Sequence, residues 1–254
     1  MMSIAERHKW ILDKLQRAGY VSVSELSKEL DVTMATVRKD LRILEGKGLL
    51  YRAHGSATPV YPYVNDRPVY EKELVHVEEK RSIAQRAVEF IAEGEAIIIG
   101  SGTTVVAFAQ AIPKNFKLTV LTSAMNVAMA LMDAPDVETV QLGGVVRKSS
   151  SSVVGHYAEE MMDHFACSKL FLSVDGISLD YGLTTSNMME AHLNARMIRS
   201  VQRTIVLVDS SKFGKKGFGK ICDLEDVHMI ITDKGLSNHY LQKLEEKGIE
   251  VILT

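Results

Sequence analysis

A mostly parallel α/β domain, preceded by a small helix-turn-helix domain, is the fold class the sequence predicts. Three observations predict it. Apolar runs of four to six residues at 96–99, 118–121, 137–142, 169–174, 204–208, 228–231 and 249–253 alternate with helical stretches at 103–111, 124–132, 157–164, 187–200 and 237–247. Short apolar strands separated by helices are what a parallel sheet covered on both faces requires. The first 57 residues read instead as short helices with a basic outer face. Between the two parts lie three of the five prolines, Pro59, Pro62 and Pro68.

At 254 residues the chain exceeds the common single-domain size of about 100–150. Its 46% hydrophobic and 24% charged residues are those of an ordinary globular protein, which excludes disordered, collagenous and coiled-coil classes. No apolar run approaches the ~20 residues that span a bilayer. The opening MMSIAERHKW is charged and helical in pattern, unlike a secretory signal. Only Cys167 and Cys222 are present, which suits a reducing cytoplasm. The net charge of −2 points to no partner, but its distribution does. Residues 1–58 hold ten Lys/Arg and seven Asp/Glu, net +3, which leaves 20 and 25, net −5, for the remainder. Proline fixes φ and removes amide donors, so 58–69 reads as a semi-rigid linker between a domain at 1–57 and one at 70–254.

In the first domain Ile4, His8, Ile11, Leu12 and Leu15 recur at helical spacing, predicting one buried stripe ended by Gly19. Ser22 and Glu25 have capping-box spacing ahead of Leu26 and Leu30. Thr33 is placed to cap a third helix that turns Val37, Leu41 and Leu44 inward, with Gly46 and Gly48 ending it. Thr36, Arg38, Lys39 and Arg42 lie on or beside its outer face, and LLYRAHGSA reads as a hairpin with His54-Gly55-Ser56 at its tip. Two short helices joined by a few residues, the second basic outside, match a helix-turn-helix. Such a helix fits the major groove, where Arg pairs with guanine edges. Double-stranded operator DNA is therefore the expected partner. Thr33, Thr36, Arg38, Lys39 and Arg42 are its expected contacts, with Arg52 and His54 reaching it as a wing. A net charge of +3 is modest, so binding should depend on salt and on dimerisation.

In the second domain a charged helix is expected over Val69 to Phe90, with Ile83, Ala84 and Ala87 inside. Ligands of open α/β sheets bind at strand carboxyl ends. The run 96–99 leads through Gly100, Ser101, Gly102, Thr103 and Thr104 straight into a helix, whose first amides attract an anion. Other strand ends supply Thr122 and Ser123, Gly143 and Gly144 with Arg147 in the loop, Asp175, and Asp209 with Lys212. Hydroxyls, glycine amides, two carboxylates and basic side chains suit a phosphorylated polyol. Two look-alike motifs fail. Gly100-x-Gly102-x-x-Val105 lacks the third glycine of a dinucleotide fingerprint and an acid after the next strand. In Gly214–Ile221, Ile221 stands where a phosphate-binding ATPase loop needs Ser or Thr. The histidines show no metal spacing, so neither metal nor cofactor is expected.

From Ala5 to Ala57 the chain resembles the N-terminal winged helix-turn-helix of the DeoR family of bacterial transcription regulators. The residues that carry the likeness are Val23-x-Glu25-Leu26, Val32-Thr33-x-x-Thr36-Val37-Arg38-x-Asp40-Leu41, Leu44-Glu45, Gly48-Leu49 and Arg52-x-His54-Gly55. Ser101–Thr104, Thr122, Leu142–Gly144, Gly155, Asp175-Gly176, Gly182–Thr185, Glu190-Ala191, Asp209–Gly214 and Ile231–Asp233 extend it to the C-terminal half. The resemblance implies a sugar-phosphate isomerase/CoA-transferase-like effector and oligomerisation domain, a sugar-phosphate effector, and a recognition role for the third helix. Departures are Ser56, Gly100, Ser123 and Ala195, the last with Arg196 as the nearest basic residue.

The function expected is a cytoplasmic, non-enzymatic repressor of a carbohydrate-use operon, assembled as a dimer or tetramer. The rival is a sugar-phosphate isomerase or deaminase with a DNA-binding appendage, using Asp175, Asp209 or Glu190 as acid or base. Isomerisation needs a tuned base with an orienting partner, and no histidine sits in the first two strand-end loops.

Overall fold

The computed structural model describes residues 2–18, 20–47, 49–53, 55–59 and 68–254. Gly19, Gly48, His54 and 60–67 of the expected linker lie outside the described residues.

The N-terminal unit runs α1 (Ile4–Ala18), β1 (Val21–Ser22), α2 (Val23–Glu29), α3 (Met34–Gly46), β2 (Leu50–Ala53) and β3 (Ser56–Pro59). Both expected caps form. Ser22 Oγ accepts the Glu25 amide at 3.1 Å while the Glu25 carboxylate accepts the Ser22 amide. Thr33 Oγ1 accepts the Thr36 amide at 3.2 Å. Ile11, Leu15, Leu26, Val37, Leu41 and Leu44 form one core. β2 and β3 make the hairpin, joined by β1 into an antiparallel sheet in the order β1-β3-β2. Thr58 and Pro59, expected in the linker, finish β3, and Val69 begins the next helix.

Ile4 departs from the expected stripe and is exposed. The positions one turn on, Arg7 and His8, do not extend an apolar face but reach buried Asp40 on α3. Arg7 Nε lies 2.5 Å from Asp40 Oδ2 and His8 Nε2 3.1 Å from Oδ1. Burial pushes the Asp40 carboxyl up, but the bonds and charge from Arg7 and His8 outweigh it and hold the group below the usual carboxylate range.

The C-terminal unit begins with α4 (Val69–Glu73), α5 (Val77–Val88), β4 (Glu95–Ile99), α6 (Thr103–Ala111), β5 (Leu118–Thr122), α7 (Met125–Leu131) and β6 (Val137–Gln141). A hairpin of β7 (Val145–Arg147) and β8 (Ser152–Val154) follows, then α8 (His156–Met161), β9 (Lys169–Leu172), β10 (Gly176–Ser178), β11 (Gly182–Thr185) and α9 (Met188–Arg199). Last come β12 (Arg203–Leu207), β13 (Gly219–Cys222), β14 (Met229–Thr232), α10 (Asn238–Glu246) and β15 (Glu250–Leu253). All seven expected strands join one parallel sheet in the order β15-β14-β12-β9-β4-β5-β6.

Unbroken apolar runs are needed because both faces are covered. Ile97 and Ile99 face one core with Phe171, Ile205, Leu207, Met229 and Ile231, under α5, α6 and α7. Ile98 faces the other with Leu170, Leu172, Val206 and Ile230, under α9, α10 and the small sheet β10-β11-β13. Side chains alternate faces along a strand, so only an all-apolar run fills both.

The single helix expected over 69–90 is broken into α4 and α5 at His76, whose φ is 54°. Lys80, buried, donates to the Lys72 and Val75 carbonyls at the end of α4 and clamps the elbow. No glycine marks the break, so periodicity runs through it. The two units meet where Tyr20 stacks on His239, with ring centroids 4.3 Å apart, and meets Tyr240 edge-on. Among the described residues no helix is long and apolar enough to cross a membrane.

Arg7→Ala leaves a buried carboxylate without its main partner, at a cost of about 3 kcal/mol to the N-terminal unit. The Asp40 pKa is depressed on folding, so its contribution is full above the unfolded value near 4 and is lost as pH falls through the folded value. Urea unfolding should therefore show a gap between parent and Arg7→Ala at pH 7 that narrows below about pH 4.

Candidate functional site

Strand order locates the site. From β4 the chain steps outward to β5 and β6, then returns to the other side of β4 with β9 and continues to β12. The order therefore reverses between β4 and β9, and such a switch point leaves a crevice at the strand carboxyl ends. A small cleft of about 40 Å³ lies there. Ser101, Gly102, Thr103 and Thr104 line it from β4, and Ser173, Val174 and Asp175 from β9. Gly102 has φ 127° and a Cβ there would stand 2.8 Å from Ser173 Cβ, so glycine lets the two loops close up. Gly102 is also the residue before the first turn of α6, whose unsatisfied amides face this end.

The remaining walls come from outside the parallel sheet. Arg147, Ser149 and Ser150 come from the β7–β8 hairpin, Thr185 from β11, Glu190 and Asn194 from α9, Lys212 after β12, and Val69 and Lys72 from α4. The Lys72 ammonium donates to Asp175 Oδ1 at 2.7 Å, and the Thr185 hydroxyl and Ser186 amide each donate to Oδ2 at 3.1 Å. Burial raises the Asp175 pKa, but Lys72, the charge of Lys212 and the Ser186 amide outweigh it, so the carboxylate stays ionised. Arg147 Nη1 donates to buried Glu190 Oε2 at 3.1 Å, while Ser152 Oγ and Ser101 Oγ lie 3.3 and 3.4 Å from Oε1. Among the described residues, Lys212 Nζ has no hydrogen bond or ion pair. Lys72, Arg147 and Lys212 against Asp175 and Glu190 make the lining net positive, within a part of the chain that totals −5.

Seven of the expected ligand residues line this cleft: Ser101, Gly102, Thr103, Thr104, Arg147, Asp175 and Lys212. Five do not. Thr122 ends β5 and Ser123 follows it, and Gly143 and Gly144 follow β6, on the side of β4 away from the switch point. Thr122 Oγ1 accepts the Ala124 amide at 3.0 Å, and the Ser123 carbonyl accepts the Val153 amide at 2.8 Å, so both shape the turn that carries β8. The Gly143 amide meets Met161 Sδ, and a Cβ on Gly144 would stand 2.8 Å from the Val154 carbonyl oxygen. Asp209 is buried behind the lining and bonds Ser211. Burial raises its pKa, but the Lys212 charge and the Ser211 hydroxyl lower it further. Arg196 pairs with Asp163 at the surface and does not replace a pocket cation. Sequence reasoning missed Lys72, which sits in a helix and not at a strand end, and it used Glu190 only as a family match and as an acid in the rival reading.

On the N-terminal unit, α3 presents Arg38, Lys39 and Arg42 to solvent with Thr36 half-buried, and its cap residue Thr33 is exposed as well. Arg52 on the hairpin is held by Glu45, Nε to Oε2 at 2.6 Å, with its amide on the same carboxylate. His54 lies outside the described residues.

Residues 7–60 match the DeoR-like helix-turn-helix domain, and residues 75–234 match the DeoR C terminal sensor domain. The chain is 40% identical over 256 residues to a candidate aga operon transcriptional repressor of Escherichia coli O157:H7, covering 98% of this chain and 93% of that one. It is 32% identical to a lactose phosphotransferase system repressor of Staphylococcus epidermidis, over 99% of this chain and 100% of the other. A solved ribose 5-phosphate isomerase A from Neisseria gonorrhoeae aligns with 54% of this chain and 53% of its own, at TM-score 0.38 and 19% identity. Both halves and the full-length relatives are those of regulators rather than enzymes, and the chain belongs to the DeoR family of transcriptional regulators.

Proposed function

We propose that this protein represses a carbohydrate-use operon in the cytoplasm and is released from its operator by a sugar phosphate bound in the switch-point cleft. The observation that carries the reading is the convergence at one crevice of the α6 N-terminus with Lys72, Arg147 and Lys212. Amides, hydroxyls and cations there suit a phosphate, and the carboxylates of Asp175 and Glu190 suit sugar hydroxyls. The relatives' names support the operon class, being those of aga operon and lactose phosphotransferase repressors. Residues 1–57 read DNA in this account, through Thr33, Thr36, Arg38, Lys39 and Arg42, with Arg52 freed from Glu45 for phosphate contact. Residues 58–69 connect, and 70–254 bind the effector and assemble a dimer or tetramer that spans two half-sites.

A ligand shifts an equilibrium only through different affinity for the two states. Two contacts supply a basis for that difference. α4 follows the inter-domain segment and is strapped over the cleft by Lys72–Asp175, and by the Val69 amide on the Ser149 carbonyl at 2.7 Å. A bound phosphate competes with Asp175 for Lys72. Separately, Tyr20 stacks on α10, where Tyr240 meets Phe213 at 5.4 Å, next to Lys212.

Binding to the DNA upstream of the protein's own gene, titrated with a panel of sugar phosphates, tests the reading. One member should release the DNA, and no release by any member would contradict it. Arg38→Ala or Arg42→Ala should cost about 1–3 kcal/mol of operator affinity, roughly 5- to 150-fold. Unchanged binding in both variants would remove the recognition role from α3. Lys212→Ala should retain ligand-free DNA binding and lose release by the effector, as read by fluorescence anisotropy of labelled operator. Retained release would take Lys212 out of the phosphate site.

A further inference from the structure

Among the described residues, a cluster of exposed apolar side chains surrounds the β7–β8 hairpin. Val145 and Val146 are 59% and 52% exposed. Successive strand residues point to opposite faces, so the hairpin shows valine on both. Met188 and Met189 open α9, and Tyr157 lies in the first turn of α8; all three are exposed. A Cβ at Gly155 would stand 3.3 Å from Met189 Cε and 3.9 Å from Val145 Cγ2, so these side chains adjoin. β7 pairs with β8 alone in a two-stranded sheet. A ribbon of two strands is marginal by itself, and an unpaired edge normally carries a proline or a charge to prevent pairing. Residues 145 and 146 carry neither, and the charge on the third residue, Arg147, is turned away to Glu190 in the cleft.

We propose that two copies of this chain pair at this face across a two-fold axis, β7 running antiparallel to β7 of the second copy to form a four-stranded sheet. A three-residue strand laid antiparallel on its own copy is its own complement, with the middle residue, Val146, on the axis. The rim carries both signs of exposed charge, Lys148 beside the strand and Glu160 on α8. A mixed rim suits a self-complementary contact and does not suit DNA phosphates. The choice of a second copy also rests on the two-fold operator reading proposed above. The next residue of the same strand is Arg147, which reaches Glu190 in the cleft at 3.1 Å. The strand that joins the copies is thus also a wall of the effector site.

The test uses full-length protein with neither DNA nor sugar, so its failure leaves the regulatory reading standing. Opposed residues of an antiparallel pair have Cα atoms about 4.5–5.5 Å apart, within the roughly 4.4–6.8 Å that a disulfide spans. Val146→Cys under mild oxidation should give a disulfide-linked dimer. The parent, with Cys167 and Cys222, should not, and neither should Leu74→Cys at the exposed α4–α5 elbow. Val146→Glu should lower the assembly by one step in sedimentation velocity, with its unfolding transition unchanged. A monomeric parent, linkage no greater than in Leu74→Cys, or a Val146→Glu protein that keeps the parent's assembly would each overturn the proposal. Should Val146→Glu fail to fold, the cysteine variant decides.

Discussion

Asp175 is a nearly buried carboxylate, and a buried charge persists only when paired and hydrogen-bonded. Its partner ammonium comes from Lys72, more than a hundred residues earlier, on the short helix that follows the inter-domain segment. Much of the C-terminal unit is arranged around that demand. Lys80 clamps the elbow at His76 and holds the carbonyl end of α4, which keeps Lys72 over the cleft. Thr185 and the Ser186 amide satisfy the second carboxylate oxygen. In the regulation proposed above, an anion arriving at a site whose resting charge balance depends on a strap from the linker side would act through that strap.

Electrostatics also explain how a chain near neutral overall suits the two anionic partners proposed for it. The basic excess of residues 1–58 is displayed by Arg38, Lys39 and Arg42 on the outer face of α3. The C-terminal part is acidic in total, yet its cleft is locally positive, because three cations converge where α6 adds the partial charge of its N-terminus. The two regions differ in screening as well. Exposed charges on α3 lose strength with salt, whereas the part-buried cations of the cleft do so much less.

Most of the architecture was legible because its causes are local. The inner strands β4, β9, β12 and β14 announced themselves as apolar runs, since burial on both faces leaves little room for polar side chains, whereas the edge strands β6 and β15 carry exposed Glu138, Gln141 and Glu250 and were found by their place between helices. Ser22–Glu25 and Thr33 marked helix starts because caps are read from spacing. The site was legible only in part. Strand ends alone nominated Thr122, Ser123, Gly143 and Gly144 alongside the residues that line the switch-point cleft, and what separates the two groups is strand order, a property of pairing that no local pattern carries. The β7–β8 hairpin and the β10-β11-β13 sheet were missed because their strands, VVR, SVV, GIS, GLTT and GKIC, mix Gly, Ser, Thr and basic residues into three or four positions and make no unbroken apolar run. Lys72 and the Arg7–Asp40 pair were missed for a related reason: each is a charge whose importance lies in a partner distant in sequence.

Release of operator by a sugar phosphate requires coupling between the cleft and the DNA-binding surface, and coupling is reciprocal by thermodynamic necessity. The most direct measurement is the affinity of the effector sugar phosphate for the protein alone and for the protein saturated with operator, by titration calorimetry at one salt concentration. The account predicts that operator weakens effector binding by the same factor by which effector weakens operator binding. An effector affinity unchanged by operator would contradict it, however tightly the sugar phosphate binds.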